Sequence, residues 1–196
     1  MGLDHSTFWV VDVEGNGGTP PEIVELAMVQ VAEGEVTPKQ RHYFIRPETP
    51  ISPHVTRIHG ITNEDVAHAP SFSDIADDLL GWLEGAAIVG HNVKVEVDIL
   101  TRSLDGWVPA MAIDTLRLSR LILPNLTSHS LESVGEALGR TAEARRRSGQ
   151  GHHAALFDAT LTALVFIDLA ARARDAGRPD LVREADILGS SQGKLL

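Results

Sequence analysis

Residues 7–18 read TFWVVDVEGNGG, a run of β-branched and aromatic side chains that stops at a cluster of glycines. Such a run predicts a buried strand, and Gly15-Asn16-Gly17-Gly18 predicts the tight loop that ends it. Phe8-Trp9-Val10-Val11 is too apolar for an edge, so the strand is placed at the centre of its sheet. A period of two sets the carboxylates of Asp12 and Glu14 on one face and Val11 and Val13 on the other. Two like charges about 7 Å apart along a strand repel and are partly desolvated, so their proton affinities rise unless a cation sits between them. No Lys or Arg nearby in the sequence offers to pair with Asp12. A buried acid needs a partner or a metal, and Mg2+ or Mn2+ would supply one through oxygen ligands at about 2.1 Å. The alternative is a strand end open to water.

Outward from this strand, residues 23–32 and 40–46 read as two further strands joined across Glu33-Gly34-Glu35, an antiparallel meander. A Pro-rich loop follows over 47–53. The stretch SFSDIADDLLGWLEG, residues 71–85, carries apolar residues at 72, 75, 76, 79, 80 and 83 and is predicted helical, with Asp74, Asp77 and Asp78 on its other face. AAIVG and AMAID read as strands; residues 94–104, 115–123 and 130–138 read as helices. The polar stretch 139–151 breaks the pattern, 154–173 is predicted as a long amphipathic helix, and the tail GSSQGKLL is expected to fray. A meander followed by strand-helix units predicts an α/β fold with a mixed sheet flanked by helices.

The chain of 196 residues is 43% apolar, enough for one substantial core. It has no run long enough to span a membrane and no secretory signal pattern at its start, so a cytoplasmic location is expected. Without cysteine, disulfides, thiolate metal sites and cysteine nucleophiles are excluded, and nine His with 27 Asp and Glu leave imidazole and carboxylate as the reactive groups. A bound metal should therefore be hard and oxygen-liking. The net charge of −10 argues against binding nucleic acid over a broad basic face. It leaves room for an anionic substrate met by divalent cations.

Five segments in order, VVDVEGNG (10–17), RIHGITNEDV (57–66), GHNVKVEVDIL (90–100), IDTLRLSRLILPN (113–125) and HHAALFDA (152–159), resemble the DEDD-type 3′-to-5′ exonucleases of the histidine subgroup. This is the superfamily of the proofreading subunit of bacterial replicative polymerase, ribonuclease T and oligoribonuclease. Each motif alone is weak; five in this order are specific. The resemblance implies a ribonuclease H-like fold with a five-stranded mixed sheet flanked by helices. It gives an exonuclease domain over 7–175 and a C-terminal helix or tail, partly disordered, over 176–196.

Asp12 and Glu14 fall on the family's first acidic motif, and His153 and Asp158 on its last. Five helical positions turn about 140° past a full circle, so His153 is expected on the loop before the helix and Asp158 on the helix itself. The middle motif departs from the family: Val95 stands at its Phe and Glu96 at its Asp. Asp98 is the other candidate for the fourth acid, about 200° away on a helix. The resemblance implies substrate contacts from Gly15, Asn16, Ile58, His59 and Asn92, with His91 and Asn92 organising the middle motif. Asp114 is read as a helix-capping acid.

By the same resemblance, Asp12, Glu14, Glu96 and Asp158 would hold two divalent cations, Mg2+ or Mn2+, about 3.5–4 Å apart, with His153 as general base. The expected activity is release of nucleoside 5′-monophosphates from single-stranded or frayed 3′ ends of DNA or RNA, with a homodimer or a polymerase partner compatible and no membrane. Arg145, Arg146 and Arg147 are either a solvated loop or a phosphate contact. Two rivals stay open: a module that binds 3′ ends or a partner protein without cutting, and a zinc hydrolase built on His91, His129, His152 and His153.

Overall fold

The computed structural model describes residues 7–189. Its five strands are β1 (Thr7–Gly15), β2 (Ile23–Ala32), β3 (Glu35–Phe44), β4 (Ala87–Gly90) and β5 (Met111–Asp114), in the sheet order β3-β2-β1-β4-β5. The apolar run of β1 sits at the centre, antiparallel to β2 and parallel to β4. The outer pairs follow the same halves, β2 with β3 antiparallel and β4 with β5 parallel. The five-stranded mixed sheet expected from the sequence is the one that forms.

Alternation along β1 builds a core on each face. Phe8 and Val10 point toward α7 (Ala155–Asp175), where Phe8 meets Phe166 edge to face at 5.2 Å. Trp9 and Val11 point toward α2 (Phe72–Leu83) and α3 (Lys94–Ser103), where Trp9 meets Trp82 at 5.7 Å. α7 is not the two-faced helix expected. It is buried around most of its circumference, because α4 (Thr115–Ile122), α5 (Leu131–Ala137) and α6 (Thr141–Ser148) pack against the side away from the sheet. The approach of α5 is close: a Cβ on Gly135 would stand 2.9 Å from the Leu161 methyl groups.

Three expectations change. β3 starts at Glu35 rather than 40, because an edge strand tolerates the polar sequence EVTPKQRH and its proline. α1 (Pro53–His59) forms after the Pro-rich loop, where no helix was expected; Pro53 opens it and Gly60, at φ 80, closes it. The polar break over 139–151 contains α6, a helix that buries only Ala144 and so shows no apolar stripe. Arg140 holds it to α7 through a two-pronged pair with Asp168 at 2.7 Å, and Arg147 pairs with Glu143 at 2.8 Å.

Beyond α7, α8 (Leu181–Glu184) buries Leu181 and Val182 against the α7-side core. The chain then runs along the free edge of β5. Asp114 N donates to Ala185 O at 3.0 Å and Ile187 N to Ala112 O at 2.9 Å, so the edge is covered. Residues 190–196 of the tail expected to fray lie outside the described residues. Among the described residues no helix is long and apolar enough to cross a membrane.

Candidate active site

The carboxyl ends of β1, β4 and β5 lie side by side at one end of the sheet, the end at which open α/β sheets collect ligands. Asp12 and Glu14 share a face with Phe8 and Val10, so their carboxylates emerge beneath the amino end of α7, where Asp158 occupies the first turn. Glu14, His153 and Asp158 each offer a ligand atom, and the three atoms lie within 4.8 Å of one another. Residues distant in the sequence thus meet at one point.

Glu96 stands in the first turn of α3, 5% exposed, and its buried Oε2 has no hydrogen-bond partner. Asp98 turns outward and pairs with Lys94 at 2.5 Å. Of the two candidates for the fourth acid, Glu96 faces the cluster. The turn before α3 is pinned by Asp114, whose Oδ1 accepts from Asn92 N and from Leu116 N, both at 2.9 Å. Asp114 is therefore the cap of α4 and also the anchor of an exposed Asn92 held at φ 70. His91 is enclosed, one ring nitrogen 2.9 Å from Thr115 Oγ1 and the other 2.8 Å from His129 O.

The charges acting on Asp12 all come from other carboxylates. Burial pushes its proton affinity well above the ordinary range, and Glu96, Asp158, Glu14 and Glu25 add to the effect. Burial, then Asp158 and Glu25, push Glu14 up to about 8. Burial does the same for Glu96, again to about 8, with Asp114 and Glu14 contributing. Asp158 is raised by burial as well, against the opposing pull of its hydrogen bond from His153 N. An acid cluster of this kind, with an orphaned oxygen on Glu96, fits divalent cations: they would satisfy that oxygen and cancel the repulsion.

A stability consequence follows. Without a divalent ion the folded protein keeps protons on Glu14 and Glu96 between their ordinary value of 4.5 and about 8, where the unfolded chain has released them. Stability is therefore lost as pH rises through that window. Metal-free protein is expected to melt at least about 5 °C lower at pH 8 than at pH 5, and Mn2+ should reverse the loss at pH 8. A melting temperature that is flat over this range and indifferent to Mn2+ would contradict the electrostatic account.

His153 precedes α7, as expected, with a left-handed φ of 63 that is uncommon outside glycine. Its backbone N donates to Asp158 Oδ2 at 3.0 Å, leaving the imidazole exposed over the cleft. The His152 ring packs edge to face on Phe157 at 4.5 Å and keeps its Nδ1 3.8 Å from Asp158 Oδ1. The histidines of the zinc alternative do not converge: among the described residues, the one metal-competent group contains His153 with Glu14 and Asp158 and no other histidine.

The expected substrate contacts divide. Asn16 is 1% exposed and fully engaged in the loop, its Nδ2 donating to Thr49 Oγ1 at 2.8 Å and its Oδ1 accepting from Gly18 N and Glu22 N. It shapes the turn after β1, and its side chain does not face the cleft. His59 is likewise committed: Nε2 donates to Gly15 O at 3.3 Å and Nδ1 accepts from Ile61 N at 3.0 Å, which ties α1 to the end of β1. Burial lowers its proton affinity, in keeping with a neutral ring. Ile58 beside it is 47% exposed. Arg147 is paired within α6, while Arg145 and Arg146 are exposed.

One acid at the site escaped the sequence reading. Glu25 on β2 lies directly across from Glu14 and is 2% exposed. The signal was a lone carboxylate inside the apolar run IVELAMVQVA. A cavity of about 640 Å³ on the opposite, α2 side shares no residue with the acid cluster.

A five-stranded mixed sheet flanked by helices, with acids on its central strand, on α7 and on α3, is a ribonuclease H-like arrangement. The family model described as Exonuclease matches residues 9–166, and the chain belongs to that family. DNA polymerase III PolC-type of Thermotoga petrophila is 33% identical over 175 residues, covering 84% of this chain and 12% of that protein. DNA polymerase III subunit epsilon of Pasteurella multocida is 27% identical, covering 75% of this chain and 58% of that one. The chain thus spans only part of these relatives. Exonuclease X, solved with 5′ overhanging duplex DNA, superposes with a TM-score of 0.68 at 26% identity, covering 89% of this chain and 99% of that chain.

Proposed function

We propose that this chain is a 3′-to-5′ exonuclease acting on single-stranded or frayed 3′ ends, and that it uses Asp12, Glu14, Glu96 and Asp158 to hold two divalent cations, Mg2+ or Mn2+. The observation that carries this reading is the buried, unpartnered Oε2 of Glu96 within a cluster of mutually repelling acids. When bound, the cations neutralise the cluster and the phosphodiester and lower the pKa of a water.

The residues of the chain do the rest. The exposed imidazole of His153, within 4.8 Å of Glu14 and Asp158, accepts the proton of the attacking water. The water oxygen bonds to phosphorus as the bond to the upstream 3′ oxygen breaks. A nucleoside 5′-monophosphate leaves, and the departing 3′ oxygen takes a proton from solvent water to become the new 3′-hydroxyl of the shortened strand. Exposed Ile58, at the end of α1, offers an apolar edge to the terminal base. The names of the relatives, DNA polymerases among them, favour DNA. Glu96 reaches the cluster despite its longer side chain, which supports cutting over binding alone.

The test is a panel of labelled DNA and RNA single strands and duplex ends with Mg2+ and Mn2+. Metal-dependent release of 5′-mononucleotides from 3′ ends is the expected result. Intact strands beside a working control nuclease would overturn it.

A further inference from the structure

α7 begins without a cap of its own. Its N-cap position is Ala154, which has no side-chain oxygen, so the first N–H groups of the helix need partners from elsewhere. Asp158 serves His153 N from within the segment. The N–H of Ala155 is served from 130 positions away: it donates to Glu25 Oε2 at 3.0 Å. The other oxygen of Glu25 stands 2.6 Å from His42 Nε2. Both oxygens of this buried acid are therefore committed, one to a helix start and one to a brace on β3.

The sheet register gives this arrangement its meaning. Glu14, Glu25 and Phe44 form one row across β1, β2 and β3, and Asp12, Ala27 and His42 form the next. Glu25 is thus the immediate neighbour of a cleft acid on one side and holds the amino end of α7 on the other. The two residues that must meet Glu14, His153 and Asp158, flank the Ala155 N–H that it grips. A polar link of this type is also costly to leave unmade, because both the N–H and the carboxylate are buried.

We infer that Glu25, braced by His42, is a positioning residue: it fixes the start of α7 and so sets the distance of His153 and Asp158 from Glu14. The inference rests on the exonuclease reading of that site. A role in stability alone would lower the fraction of folded protein and leave its turnover untouched. A positioning role lowers turnover in protein that is fully folded.

The experiment compares wild type with Glu25→Ala, Glu25→Gln and His42→Ala on a labelled DNA single strand with Mn2+, below the onset of melting of each. Backbone hydrogen exchange over residues 150–158 is measured on the same samples without substrate. Glu25→Ala is expected to lower kcat about 10- to 100-fold, as misplacement by about 1 Å does, with KM within about threefold. Exchange over 152–158 should quicken at least about tenfold. Glu25→Gln, whose amide oxygen still accepts from Ala155 N, should restore kcat to within about fivefold of wild type. His42→Ala should shift both readouts in the same direction by less, and it carries the test if Glu25→Ala does not fold. Unchanged kcat and exchange in folded variants would overturn the inference. An inert wild type with quickened exchange in Glu25→Ala would support the clamp and overturn the exonuclease reading instead.

Discussion

Asp12→Asn lowers kcat by about 10² to 10⁴ in the expected result, with the fold intact. Asp12 is the acid on which Glu96, Asp158, Glu14 and Glu25 all act, and it lies with Glu14 on the central strand. Removing its charge removes a ligand from the cluster and also relieves repulsion. Metal-free Asp12→Asn should accordingly melt no lower than wild type at pH 8 even as activity is lost. Kinetics on a labelled single strand, read beside calorimetric melting, separate the two effects. Near-normal turnover in the variant would remove Asp12 from the chemistry.

His153→Ala is the second large effect. Its imidazole is exposed over the cleft on a left-handed turn, and general-base catalysis is worth about 10² to 10⁴ in rate. The loss should fall on kcat, with Mn2+ affinity within about threefold of wild type because carboxylates supply the cation ligands. Equal loss of turnover and Mn2+ affinity would make His153 a metal ligand, which its place within 4.8 Å of Glu14 and Asp158 also allows sterically.

The parts of this molecule legible in the sequence were those whose signal is local. β1 declared itself by composition, the shared face of Asp12 and Glu14 by the period of a strand, and Asp158 only through the resemblance of HHAALFDA to the family's last motif. The residues that failed were those whose role depends on a partner far along the chain. Asn16 sits beside Asp12 and Glu14 in sequence, yet its amide is drawn into the loop by Thr49 and Glu22. Glu25 was not singled out in its apolar strand, because its partners Ala155 and His42 lie far from it along the chain. α6 was hidden for a related reason: charge pairs to Asp168 and Glu143 hold it, and an apolar stripe does not. In α7 the periodicity misled because the helix has neighbours on nearly every side.

Diffraction from a crystal soaked in Mn2+, with the anomalous signal of the metal recorded, tests the central claim most directly. Two peaks about 3.5–4 Å apart are expected, within ligand distance of carboxylate oxygens of Asp12, Glu14, Glu96 and Asp158. A cluster that stays empty of manganese, or peaks found only on surface acids such as Asp98, would contradict it.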